Sequence, residues 1–103
     1  MKWIRSRAQF EKARVAKVAL VGFCAPWCVS CRLQEPILHQ LAARFEGKAF
    51  IGAVNVDENK DLLSKLGIRF IPTMIIFNNG LETDRFVGLQ PESTLADAVR
   101  ELI

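Results

Sequence analysis

The paired ligands from which zinc fingers and ribbons are built are missing from this chain. It has one Cys-x-x-Cys, no second pair and a single histidine. Three cysteines are also too few for a disulfide-stapled scaffold, and an odd number does not pair off. Six glycines and four prolines exclude collagen-like and low-complexity classes. No apolar run approaches the ~20 residues that span a bilayer. There are no internal repeats and no linker-like stretch, so residues 1–103 read as one domain. Half of the residues are hydrophobic, enough for a packed core without staples.

The net charge of +3 is unevenly spread. Lys2, Arg5, Arg7, Lys12, Arg14 and Lys17 face only Glu11 in the first seventeen residues, and the remainder is slightly acidic. No aromatic platform or nucleic-acid motif accompanies the basic arm, so it reads as a solvated helix face and not as a nucleic-acid site. Basic residues ahead of Val15 to Ala25 resemble an export signal, and Leu20-Val21-Gly22-Phe23-Cys24 resembles a lipoprotein cleavage site. Phe23 is too large for the position before such a cysteine. The segment reads instead as a core strand, and the expected protein is soluble, cytoplasmic and free of membrane contact.

Val18 to Phe23 is almost continuously apolar, as in a central strand buried on both faces. Ahead of it, Lys2-Trp3-Ile4 is long enough only for an edge strand, and Ser6 is a candidate N-cap for a helix over 7–14. Beyond Cys28, Leu33, Ile37, Leu41 and Phe45 repeat every four residues, with Leu38 and Ala42 widening the stripe. Pro36 removes one backbone bond, to Arg32, from this long helix. A second buried strand follows over 49–56, then a short helix from Asp57 that Gly67 stops. Met74–Phe77 and Leu81–Val87 flank an Asn79-Gly80 turn, which implies an antiparallel hairpin with a charged edge. Pro91 opens a last helix as its first residue. Helices between strands imply parallel pairs, so the class is α/β with a mixed sheet and helices on both faces.

The chemistry lies in Cys28-Val29-Ser30-Cys31, where a strand hands over to a helix. Two cysteines so spaced and so placed can cycle between dithiol and disulfide. The unpaired amides of the first helical turn favour a thiolate on Cys28. Cys28 would attack a disulfide, and Cys31, one turn on, would release the captured sulfur. A second reading comes from Cys24-x-x-x-Cys28-x-x-Cys31, three thiolates at the spacing that holds an iron–sulfur cluster in radical SAM enzymes. The chain is far too short for the barrel of those enzymes.

Ala25-Pro26-Trp27-Cys28-Val29-Ser30-Cys31, Glu35-Pro36-Ile37-Leu38, Asn55-Val56-Asp57, Gly67-Ile68-Arg69-Phe70-Ile71-Pro72-Thr73, Phe77-Asn78-Asn79-Gly80 and Val87-Gly88 resemble the thioredoxin family in order and spacing. The resemblance covers residues 18–103. It implies a central five-stranded mixed sheet flanked by four helices and protein disulfide oxidoreductase activity, with no cofactor and no metal. It implies a cis Ile71–Pro72 bond against the dithiol, and substrate contacts from Trp27, Ile71, Pro72 and Gly88. It also implies a reductase as electron donor, disulfide-bearing client proteins and a monomer.

Several positions depart from the family pattern. Val29-Ser30 stands where thioredoxins usually carry Gly-Pro, which shifts the pair toward a less reducing potential. Gly22 and Ala53 replace a buried Asp and its Lys neighbour. Glu35, on the same helix face as Cys31, is the candidate substitute for proton transfer. Cys24 replaces a second tryptophan and is expected first to be a small buried hydrophobe, the alternative being a third redox thiol that could trap Cys28. Phe70 replaces a glycine and either narrows the groove or packs. His39 is assigned no role.

Overall fold

The computed structural model describes all residues, Met1–Ile103. Five strands form one sheet in the order β1-β3-β2-β4-β5: β1 (Lys2–Ile4), β2 (Val18–Cys24), β3 (Phe50–Asn55), β4 (Thr73–Asn78) and β5 (Leu81–Val87). β1 and β2 run parallel to β3, while β4 runs antiparallel to β2 and β5. The crossovers are α1 (Arg7–Arg14), α2 (Val29–Arg44) and α3 (Lys60–Leu66), and α4 (Glu92–Arg100) closes the chain. This is the mixed five-stranded sheet with four helices that the sequence pointed to.

Alternation along β2 splits the core into two layers. Ala19, Val21 and Phe23 pack with Phe10 and Ala13 of α1 and Leu62 of α3. Val18 and Leu20 pack with Leu38 and Leu41 of α2 and Leu95 and Val99 of α4. Each sheet face thus carries two helices, and β2 is buried along its whole length. The Arg14 guanidinium lies over the Phe10 and Phe77 rings and donates to the Gly80 carbonyl at 2.8 Å, tying α1 to the β4–β5 turn. Asn79 and Gly80 both have positive φ, as a two-residue hairpin turn requires.

Three local expectations shift. α2 buries Cys31, Gln34, Leu38, Leu41 and Phe45, spaced alternately by three and four, so Leu33 lies outside the stripe and is exposed. The four-residue repeat read from the sequence drifts around a helix of 3.6 residues per turn. Pro91 is the N-cap of α4 with extended backbone, one position before the first helical residue. The segment after β3 is a short 3-10 turn over Val56–Glu58 before α3 begins at Lys60. Ser6 caps α1 as expected, its hydroxyl accepting the Gln9 N–H.

Candidate active site

β2 ends at Cys24, and the Cys28 N–H donates to the Ala25 carbonyl at 3.2 Å, which folds Ala25 to Cys28 into a tight turn. Cys28 is therefore the N-cap of α2. Its Sγ accepts the backbone N–H of Cys31 at 3.3 Å, so one of the orphan amides of the first turn is aimed at the sulfur. Negative charge developing on Cys28 meets that donor and the positive end of the helix dipole. The thiol is partly exposed, whereas Cys31 and Cys24 are buried.

The dithiol is bounded by the loop before β4. Cys28 Sγ lies 4.0 Å from the Ile71 carbonyl oxygen, and the Ile71–Pro72 bond is cis. The Gly88 N–H donates to the Pro72 carbonyl at 2.7 Å, which joins the end of β5 to the same loop. Ile71, Pro72 and Gly88, singled out in the sequence, are thus brought together beside Cys28. Trp27 is 64% exposed, and its Nε1 donates to Asp57 Oδ2 at 2.9 Å. Asp57 itself is set by its N–H donating to Asn55 Oδ1.

Large apolar side chains are exposed on the segments that bound the dithiol: Trp27, Val29, Leu33, Phe70, Val87 and Leu89. Val29 and Leu33 stand one turn apart at the start of α2, Phe70 precedes Ile71, and Val87 pairs with Thr73 across β4–β5. Phe70 is 68% exposed, so it borders the groove and does not pack into the core. Leaving this much apolar area in water is unfavourable unless a partner covers it.

Behind the dithiol the sheet is apolar at Gly22 and Ala53, while the cavity beside Cys31 is also lined by Arg5, Arg32, Glu35, Asn55 and Glu58. Gly22 and Ala53 are direct neighbours on β2 and β3. Burial is the first cause that pushes the Cys31 thiol from 9.0 up to about 11, followed by its hydrogen bond with Cys28. Burial pushes the Cys24 thiol up further still, and the neighbouring Cys31 adds to it. Cys24 is a buried small side chain as expected. It shares a cavity of about 240 Å³ with Cys31 and Glu35, between β2, α2 and the chain after β3. Glu35 makes no hydrogen bond to Cys31. It is half-exposed, with Oε2 3.9 Å from Nε2 of His39.

Two residues of the site went unnoticed in the sequence. Asp57 appears there only as part of a motif, and its bond to Trp27 needs the β3 turn to be placed first. Gln34 is 0% exposed, with its Nε2 donating to the Gln90 carbonyl at 3.0 Å and its Oε1 accepting the Gln90 N–H at 2.8 Å. A glutamine on a helix carries no sign of such burial. The three cysteines, with the acidic groups around them, do not form a metal-ligand cluster. Nothing in the geometry supports the iron–sulfur reading.

A family model described as Thioredoxin matches residues 2–101. Thioredoxin 2 of Chlorobaculum tepidum is 45% identical over 95 residues, covering 92% of this chain and 87% of the relative. A thioredoxin of Staphylococcus aureus is 41% identical over 92 residues, covering 89% and 88%. Among solved structures, a mutant thioredoxin from Halobacterium salinarum superimposes with a TM-score of 0.91 at 30% identity, over 98% of this chain and 88% of that one. Plasmodium falciparum thioredoxin superimposes with a TM-score of 0.90 at 25% identity over the whole of both chains.

Proposed function

This chain belongs to the thioredoxin family and is a protein disulfide oxidoreductase, and from that premise we propose that it reduces client proteins through Cys28 and Cys31. The carrying observation is the Cys31 N–H aimed at Cys28 Sγ across 3.3 Å at the start of α2. Cys28 attacks a client disulfide, the sulfur-sulfur bond moves to Cys28, and the client's second sulfur leaves as a thiolate. Cys31 then attacks Cys28 Sγ and expels the remaining client thiolate, leaving a Cys28–Cys31 disulfide. A reductase that supplies two electrons returns the pair to the dithiol.

Trp27, Phe70 and Val87 form the apolar surface on which the client rests. An extended client segment pairs with the free backbone groups near Ile71, where Pro72 offers no N–H of its own. Gly88 has no side chain to obstruct that segment. Glu35 takes the Cys31 proton, directly or through a water in the shared cavity. The protein acts as a monomer in the cytoplasm.

Turnover of a disulfide-bonded protein substrate with a chemical or enzymatic reductant tests the assignment. Cys28→Ser should abolish it. Cys31→Ser should capture the substrate as a stable mixed disulfide on Cys28. Undiminished turnover by Cys28→Ser would contradict the assignment.

A further inference from the structure

Cys24 has no part in the two-cysteine cycle, yet it is the third sulfur of a row. It lies on the same side of β2 as Leu20 and Gly22, the side that α2 covers. Cys31 is the first buried residue of α2, and both cysteines line the 240 Å³ cavity. The Cys31 backbone N–H reaches Cys28 Sγ at 3.3 Å on one side, and the Cys31 side chain shares the cavity with Cys24 on the other. Cys28 does not line that cavity and packs toward the other face of β2, beside the layer of Phe23 and Ala25. Cys31 is therefore the middle sulfur, and the cavity beside it leaves room for the side chains to turn.

We propose that Cys24 is a second exchange partner for Cys31, so that the oxidised protein interconverts between a Cys28–Cys31 and a Cys24–Cys31 disulfide. The inference rests on Cys28 and Cys31 being the working pair. The Cys24 thiolate attacks Cys31 Sγ, a Cys24–Cys31 bond forms, and the Cys31–Cys28 bond breaks. Cys28 leaves with the electron pair as a thiolate, at the helix terminus where that charge is favoured. The Cys24 proton passes to hydroxide or to a carboxylate of the cavity. One disulfide is consumed and one formed, so no outside oxidant is needed.

The product is an oxidised protein that still presents a nucleophilic sulfur. It can capture a client disulfide but cannot release it until Cys31 returns. Burial of Cys24 keeps its thiolate scarce, so the exchange is slow near neutrality and quickens with alkalinity.

Two arms test this. Cys28→Ser, oxidised with diamide, denatured and alkylated, should show no reactive thiol, because Cys24 and Cys31 have joined. Wild type oxidised to one disulfide, equilibrated across pH 6–10, quenched in acid, unfolded and alkylated should carry label on Cys24 and on Cys28. The approach to that mixture should quicken about tenfold per pH unit. Two reactive thiols in Cys28→Ser, or label confined to Cys24 at every pH, overturns the proposal. A wild type that forms no disulfide at all would instead remove the Cys28–Cys31 reading, which the Cys28→Ser arm does not use.

Discussion

Gly22 and Ala53 face each other across β2 and β3, and Leu38 has taken the space above them. A Cβ built on Gly22 would come within 2.8 Å of Leu38 Cδ1. The usual acid of this position is thus absent, and its room is filled with hydrocarbon. Gly22→Asp should destabilise the fold by about 3–5 kcal/mol at pH 8, since an unpaired carboxylate would be buried among apolar groups. The loss should shrink toward pH 4, where the carboxyl becomes neutral, and Ala53→Lys added to it should restore part of the stability. Urea unfolding at the two pH values reads both effects, and equal stability of wild type and Gly22→Asp would contradict them.

The buried Cys31 thiol sets the pH dependence of client release. Its pKa is raised, so the thiolate is scarcer at neutral pH than in a free thiol, and its share grows about tenfold per pH unit up to about 11. A chromogenic aromatic thiol loaded on Cys28 reports the step by its release. The rate should climb with that slope above about pH 9 and level near pH 11. Near neutrality Glu35 should carry the proton and flatten the curve. Glu35→Gln should slow release there by at least about tenfold and leave the alkaline limb unchanged. An unaltered profile removes Glu35 from the proposal.

Val29-Ser30 gives the first turn of α2 an amide at Ser30 that a proline would lack. An extra donor near the thiolate stabilises the dithiol and makes the pair less reducing. A redox titration should place the protein above the roughly −270 mV typical of thioredoxins. Val29→Gly with Ser30→Pro should lower it. A double variant with an equal or higher potential contradicts this account.

Gln34 joins α2 to the loop before α4 through both of its amide groups. Gln34→Ala leaves a hole and strips the Gln90 N–H and carbonyl of their partners. A loss of about 2–4 kcal/mol follows from these combined effects. Chemical denaturation measures it, and a change below about 1 kcal/mol would show that water replaces the amide fully.

Architecture was legible wherever burial follows a period. β2 announces itself by an unbroken apolar run, the β4–β5 hairpin by Asn79-Gly80, and the dithiol by its place between strand and helix. The long helix misled in one respect, because Leu33 and Leu38 are equally apolar in sequence, yet only Leu38 meets the sheet. The exposed leucine stands one turn beyond Val29 on α2. Gln34 and Asp57 could not be found in advance, since their partners lie 56 and 30 residues away in the chain. The relation of Cys24 to Cys31, and not to Cys28, likewise depends on which face of β2 each neighbour occupies.

The account depends on Cys28 being an accessible, anion-favouring sulfur. Alkylation of the reduced protein by iodoacetamide at pH 7, read by mass spectrometry at each cysteine, tests this most directly. Cys28 should react first and faster than free cysteine, with Cys24 and Cys31 untouched on that timescale. Reaction at Cys28 no faster than at free cysteine would contradict it.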